Sequence, residues 1–444
     1  MAFENGTIRP RYWVDPSGRQ ASASLPLPSR EFMAAATVYT AVVFNFVLAI
    51  INAHAFGLSK TSVIVAEMLI VGMAVAVCAR GLNRLMIPWL LVISALAILF
   101  IFISMFRQSL EAKYFRDVLL IPVFIMLGTT FAKGNIVRLF IVMQATILAV
   151  MIFEGASPIL FGDLTNPQSY YVNTRDFVSE DFWNRDSNLF VSAMRPPEMG
   201  QFIPGLDLLG VTTRLSSVFL EPVTTGNWAT VAVIFMIAFW RNLTRKESIF
   251  LVLSTFMILV GSDGRFATVT TLIILAVGMI LRIIPRYAYA LYLPGAFVAA
   301  IVVGIFFNSS ARIDDFLGRL EFSVWVFTSI DFWNAVGIDL SPQLLGRSFD
   351  SGITYFVITQ SFLGVFIIWL AICFLQPQTN RTAIAFMNGL AIYISLSLLI
   401  SYSMFSIKTA APLWFLYGYI RTLSYSPMAH DVPNPVPYRS SSGG

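Results

Sequence analysis

Charge is scarce in this chain. Only 12% of its 444 residues are Asp, Glu, Lys or Arg, and 57% are hydrophobic. Soluble domains carry about 25% charged and about 45–50% apolar residues. The two histidines, His54 and His430, are too few for a histidine-rich metal centre. The two cysteines, Cys78 and Cys373, lie far apart inside apolar runs and form neither a disulfide framework nor a metal-ligand spacing. The patterns GxxxxGK[ST], GxGxxG and HExxH are missing, so nucleotide hydrolysis has no support. No DDxxD or DxD pair sits within an apolar run, and Asp314-Asp315 is only a weak metal candidate. No metal or cofactor is therefore expected, and no internal repeat is visible. The net charge of +5 is expected to reflect basic residues at a membrane surface, with no nucleic acid as partner.

Long apolar runs dominate instead. A membrane span needs about 20 apolar residues. By that rule about twelve segments qualify: 33–52, 61–79, 86–106, 117–131, 136–153, 221–240, 248–262, 266–283, 287–307, 354–374, 382–403 and 405–420. The expected fold is an all-α polytopic membrane protein. Alternate connections are basic: Arg80 and Arg84; Lys133 and Arg138; Arg241, Arg245 and Lys246; Arg282 and Arg286; Arg381. The positive-inside rule puts these in the cytoplasm together with a polar, Pro/Ser-rich head (1–30) and tail (426–444). No cleaved leader is expected. Both ends are expected to be disordered, leaving residues 31–425 as one transmembrane domain. Two large loops, about 154–220 and 308–353, then face the other side. Loops this long are usually functional. The first has pieces such as Asp176–Phe190 that can lie on the membrane surface.

The second loop gathers much of the charge. It holds Arg312, Arg319 and Arg347, the acids Asp314, Asp315, Glu321, Asp331, Asp339 and Asp350, and the tryptophans Trp325 and Trp333. Other cations also break the inside rule: Arg107, Lys113 and Arg116 between spans three and four, Arg214 before span six, and Arg265 between spans seven and eight. Each has a local explanation to weigh. Arg116 pairs with Asp117 or Glu111, or else faces a ligand. Arg312 beside Asp314 and Asp315 reads as a solvated ion pair. Arg319 pairs with Glu321 or joins a site. Arg265, in a tight turn, favours a cavity over snorkelling. Glu221 is either a first-turn acid favoured by the helix dipole or a working carboxylate. Several arginines from separate loops on one face point to an anion site, since guanidinium grips phosphate oxygens in a bidentate way.

The order of these pieces resembles the O-antigen polymerase and ligase superfamily of bacterial envelope polysaccharide enzymes. Arg214-Leu-Ser-Ser-Val-Phe-Leu-Glu-Pro222 is similar to the family's Arg–small–Phe–acid–Pro start of a span. Gly261-Ser-Asp-Gly-Arg265 resembles its small-Ser-x-Arg turn. Arg319 to Trp325 resembles the start of its second loop, and Leu345-Gly-Arg347-Ser-Phe-Asp350-Ser-Gly352 the end. The first two hundred residues match only in hydropathy. Ligases of the family carry a histidine where this chain has Asp350, which favours a polymerase of the xanthan-like exopolysaccharide kind.

The resemblance implies a GT-C-like membrane glycosyltransferase of the bacterial inner membrane with its active face in the periplasm. The substrates it implies are undecaprenyl-diphosphate-linked oligosaccharides. A sugar hydroxyl of one unit attacks the anomeric carbon of the other, and the lipid diphosphate leaves. Asp350 is the first candidate for general base and Glu221 the second, with Arg265 in the catalytic set; helix capping explains Asp350 equally well. Arg214, Arg265, Arg319, Arg347 and Arg116 are the diphosphate candidates. Trp183, Trp325, Trp333, Tyr170 and Tyr171 stack on sugars or form an interfacial belt. A polysaccharide co-polymerase that sets chain length is the implied protein partner, alongside membrane lipid. A ligase, or a flippase for lipid-linked oligosaccharide, is the alternative.

Overall fold

The computed structural model describes residues 29–175, 177, 188–190, 193, 213–281, 283–306, 316–348, 351–401 and 403–425. Helix is the only regular structure among them. Every one of the twelve apolar runs is occupied by a helix: α1 (Arg30–His54), α2 (Lys60–Ala79), α3 (Ile87–Arg107), α4 (Ala112–Thr129), α5 (Ile136–Ala156), α8 (Pro222–Phe239), α9 (Arg245–Ser262), α10 (Arg265–Ile280), α11 (Tyr292–Phe306), α15 (Gly352–Phe374), α16 (Arg381–Ile400) and α17 (Ile407–Tyr425). Seven of these are long and apolar enough to cross a membrane. α10 and α11 are apolar but shorter, and α9 opens on Arg245, Lys246 and Glu247.

Local signals fix the ends. Ser29 caps α1 through the Phe32 amide at 3.2 Å. Thr244 and Glu247 form a capping box on α9. Asn380 caps α16 through the Ala383 amide at 2.7 Å. Pro222 opens α8, where a missing N–H costs nothing.

Burial sorts the helices into centre and periphery. α8 and α16 are 83% and 89% buried over their apolar windows, α3 only 17%. α3 turns Leu91, Ile98, Phe102 and Met105 outward. An apolar surface of that length needs a non-aqueous surround. α4 and α17 approach closely because Gly128 and Gly418 face each other: a Cβ on Gly418 would run into the Ile125 carbonyl and Gly128 itself. Polar side chains tie the centre. Trp228 Nε1 of α8 donates to Gln144 of α5 at 2.7 Å, and Gln144 Nε2 donates to Ser254 of α9 at 2.8 Å.

Three departures from the sequence expectation matter. The loop expected at about 154–220 starts as structure: α5 runs to Ala156 and is followed by α6 (Pro158–Thr165) and α7 (Pro167–Arg175), both packed against α1. The second loop likewise holds α12 (Phe316–Thr328), α13 (Phe332–Val336) and α14 (Pro342–Arg347). α4 begins five residues ahead of the expected span, so Lys113 and Arg116 lie in its first turns and not in a connecting turn.

α15 is broken. Ser361 sits at φ 65° and ψ 163°, outside helical space. Its hydroxyl accepts the Gly364 amide at 3.3 Å and so caps the second half. Arg107, the last residue of α3, serves the carbonyls around the break: Nη2 donates to Ile358 O at 2.5 Å and Nε to Gly337 O at 2.6 Å.

Candidate functional site

α2 and α4 begin at one end of the bundle, since consecutive helices joined by short turns run antiparallel. Contacts of Glu154 with Ser217, Lys408 with Glu221, Tyr355 with Asp117 and Gly226 with the α9–α10 turn bring the starts of α8, α17, α15 and α10 to the same end. That end holds a network of charges. In its first part, Arg116 of α4 reaches Glu67 of α2 at 2.5 Å and its own neighbour Asp117 at 2.7 Å. The other Asp117 oxygen accepts the Tyr355 hydroxyl of α15 at 2.7 Å. Lys113 lies 6.0 Å from the centre of the Tyr355 ring. Of the two local partners weighed for Arg116, Asp117 is the one used; Glu67, from a different helix, is added, and Glu111 is not involved.

The second part centres on Glu221. One oxygen takes Arg175 of α7 at 2.7 Å and Lys408 of α17 at 3.4 Å; the other accepts Thr224 Oγ1 at 2.6 Å. Lys408 is 2% exposed and also donates to the Phe219 carbonyl at 3.4 Å. Arg175 lies 5.0 Å from the centre of the Tyr171 ring. α2 and α7, which carry Glu67 and Arg175, pack against each other and bring the two parts side by side.

A strained turn presents Glu221. Ser217 and Leu220 both adopt positive φ, at 52° and 61°, around a short 3-10 helix, Ser217–Phe219. Glu154, near the end of α5, holds that turn. Its carboxylate accepts the Ser216 amide (2.8 Å), the Ser216 hydroxyl (2.7 Å) and the Ser217 amide (2.6 Å). Glu154 is therefore a positioning residue for Glu221.

Glu221 immediately precedes α8, and its side chain does not cap that helix. Burial alone would raise its pKa, but Arg175, Lys408, Thr224 and Tyr171 overcome burial and hold it down at about 2. A carboxylate held ionised is a poor general base near neutrality. Its chemistry here is to fix two cations. The sequence offered it as the second-choice base; its contacts make it an anchor for Arg175 and Lys408.

Arg214 and Arg265 meet at the turn between α9 and α10. Arg214 Nε donates to the Ser262 carbonyl at 2.9 Å, and the Leu215 amide to the Gly261 carbonyl at 2.8 Å. Arg265 is the first residue of α10 and is half-buried. α8 passes close to this turn at Gly226, where a Cβ would lie 3.3 Å from the Ser262 hydroxyl. Arg319 is half-buried on α12. Its neighbour Leu320 shares an apolar cluster with Phe266, the neighbour of Arg265, together with Leu399 and Ile400. The backbone of Arg347 ends α14. Asp350 lies outside the described residues, as do Trp183, Arg312, Asp314 and Asp315; the cap position of α15 falls on Ser351.

The aromatics separate. Tyr170 and Tyr171 are 1% and 0% exposed in the core, with Tyr170 donating to Asn45 at 2.8 Å. They are neither sugar platforms nor belt residues. Trp325 and Trp333 are exposed.

Sequence reasoning missed Glu67, Glu154, Arg175 and Lys408. Glu67 and Lys408 did carry a signal, since each is the lone charge inside an apolar run, and such residues are functional candidates by default. Arg175 had none. No family model, curated protein or solved structure matches the chain.

Proposed function

We propose that the chain is a membrane glycosyltransferase that polymerises undecaprenyl-diphosphate-linked oligosaccharide repeat units into exopolysaccharide. It works at the periplasmic face of the bacterial inner membrane, with twelve spans and both termini in the cytoplasm. The observation that carries this is the charge network: cations from α4, α7 and α17, with the acids Glu67, Asp117 and Glu221 between them, collect at one end of an otherwise apolar bundle. The order of the Arg214–Glu221, Arg265, Arg319 and Arg347–Asp350 pieces supports the same reading.

In this mechanism an acceptor hydroxyl oxygen forms a bond to the anomeric carbon of the donor. The bond from that carbon to the diphosphate oxygen breaks, and its electron pair leaves with the diphosphate. Negative charge builds on the leaving group, where prearranged cations stabilise it most. Arg214, Arg265 and Arg319 are assigned to that role. Arg116, Arg175 and Lys408, each paired with a carboxylate, brace the helix ends around them. Asp350 receives the hydroxyl proton, an assignment that rests on the family resemblance. Glu154 and Glu221 shape the site and take no proton. A co-polymerase that sets chain length completes the machinery.

The test uses purified protein in detergent with a lipid-diphosphate-linked repeat unit and no nucleotide. A ladder of longer glycans is expected from the wild type, and Arg265→Ala should lower its rate at least a hundredfold, the scale of losing one oxyanion donor. Transfer of the glycan to a lipid core or a protein instead would make the chain a ligase. Absence of a ladder, with movement of the lipid-linked sugar across a liposome bilayer, would make it a flippase.

A further inference from the structure

α17 carries a second buried cation. Lys408 and Arg421 lie thirteen residues apart on it, about 20 Å at 1.5 Å per residue, so Arg421 belongs to the opposite end of the bundle. Arg421 is 3% exposed. Among the described residues its Nε and Nη1 have no hydrogen-bond partner and it forms no ion pair. Its guanidinium carbon lies 5.3 Å from the centre of the Tyr425 ring. Guanidinium cannot shed its proton, and an uncompensated buried charge is strongly destabilising.

The turn from α15 to α16 supplies companions. Thr379 donates to the Ser424 carbonyl at 3.2 Å and Asn380 to the Ser424 hydroxyl at 3.4 Å, which seats this turn on the last turn of α17. In that turn Gln376 is fully buried, and both its Nε2 and its Oε1 lack a partner; Gln378 is 4% exposed, and its Oε1 lacks one too. Buried polar groups are almost always satisfied, and a cluster of exceptions calls for an explanation, an unseen ion or ligand among them.

We propose that Arg421, Gln376 and Gln378 form a binding site for a hydroxyl-bearing phosphate ester. Arg421 and the Gln376 amide offer N–H donors to phosphate oxygens. The Gln376 and Gln378 carbonyl oxygens accept from hydroxyl groups of the same ligand. Phosphatidylglycerol and free glycerol phosphate share this chemistry. The same end of the bundle carries the basic connections Arg80–Arg84, Arg241–Lys246 and Arg381. Basic pockets between helices on that side of a membrane are where anionic headgroups bind. This site is independent of the proposed glycosyl transfer.

Full-length protein, delipidated in detergent, is heated while intrinsic fluorescence is followed. Phosphatidylglycerol is added, with phosphatidylethanolamine, glycerol 3-phosphate and inorganic phosphate as comparisons. An upward shift of the midpoint by several degrees is expected with phosphatidylglycerol and not with phosphatidylethanolamine. A shift with glycerol 3-phosphate of equal size would assign the site to a soluble ester. Arg421→Met should abolish the shift, and Arg245→Gln, an exposed cation at the same end, should keep it. Gln376→Leu should weaken the apparent affinity about tenfold, as loss of a charge-assisted hydrogen bond does, and decides the matter if Arg421→Met fails to fold. An equal shift in wild type, Arg421→Met and Gln376→Leu, or no shift with any phosphate ester, would overturn the site.

Discussion

At the scale of single residues, the state of the Glu221 carboxylate is the informative result. Burial usually raises a carboxylate toward the range where it can act as a base. Glu221 goes the other way because two cations face it, and its pKa falls to about 2 from an ordinary 4.5. The folded value lies below the unfolded one, so the stabilisation is fully present above pH 4.5 and is lost as pH falls from there toward 2. The Glu221 share of stability should therefore be flat from pH 7 to 5. Glu221→Gln leaves the ammonium of Lys408 without its counter-charge and should cost about 3 kcal/mol, the scale of a broken buried pair. Lys408→Met should cost a similar amount, and the double variant should recover most of it. Unfolding of the four proteins in one detergent, run as a cycle, measures this; strictly additive losses would mean the two groups are not coupled. Arg175 is 44% exposed and contributes less through solvent screening.

At the scale of elements, α15 shows where the apolar pattern stops being informative. The run at 354–374 predicts one unbroken helix, and no Pro or Gly marks position 361. The break is carried by a serine whose hydroxyl caps the second half of the helix, and by an arginine 254 positions earlier. No local window contains both. The same holds for the charge network: Arg116 and Glu221 are readable one at a time, but their partners Glu67 and Lys408 come from other helices. The break makes an ordering testable. Ser361→Gly removes the strain of φ 65°, worth about 1–3 kcal/mol, at a few tenths for the lost cap, so it should raise stability by about 1 kcal/mol. Ser361→Ala keeps the strain and loses the cap, and should lower stability by about 1 kcal/mol. Midpoints in the order Gly, Ser, Ala are expected on thermal unfolding. Ala at or above Ser would show that the hydroxyl caps nothing.

At the scale of the whole molecule, helix positions were legible because length and apolarity are properties of composition. Packing was not. Runs that are apolar on every side have no polar stripe to show which face meets protein and which meets lipid. The one trace is in mean hydropathy, which among the seven long apolar helices is lowest for the buried α8 and highest for the outward-facing α3. Nor did hydropathy reveal that α6 and α7 fold back onto α1. The arrangement that twelve crossings require can be checked with single cysteines after replacing the buried Cys78 and Cys373 by Ala. Leu110→Cys and Ser329→Cys should react with a membrane-impermeant maleimide on intact cells. Lys133→Cys and Asn242→Cys should react only after the membrane is opened. The pair at 110 and 133 brackets α4, which is among the helices that fail the length-and-apolarity test because Lys113, Arg116 and Asp117 lie near its start. If both label from the same side, α4 does not cross, the count becomes odd, and the ends of α8 and α17 that carry Glu221 and Lys408 move to the cytoplasmic face. A lipid-linked donor presented in the periplasm would then be out of reach. Opposite labelling keeps Arg116, Arg175, Glu221 and Lys408 at the face where such a donor arrives.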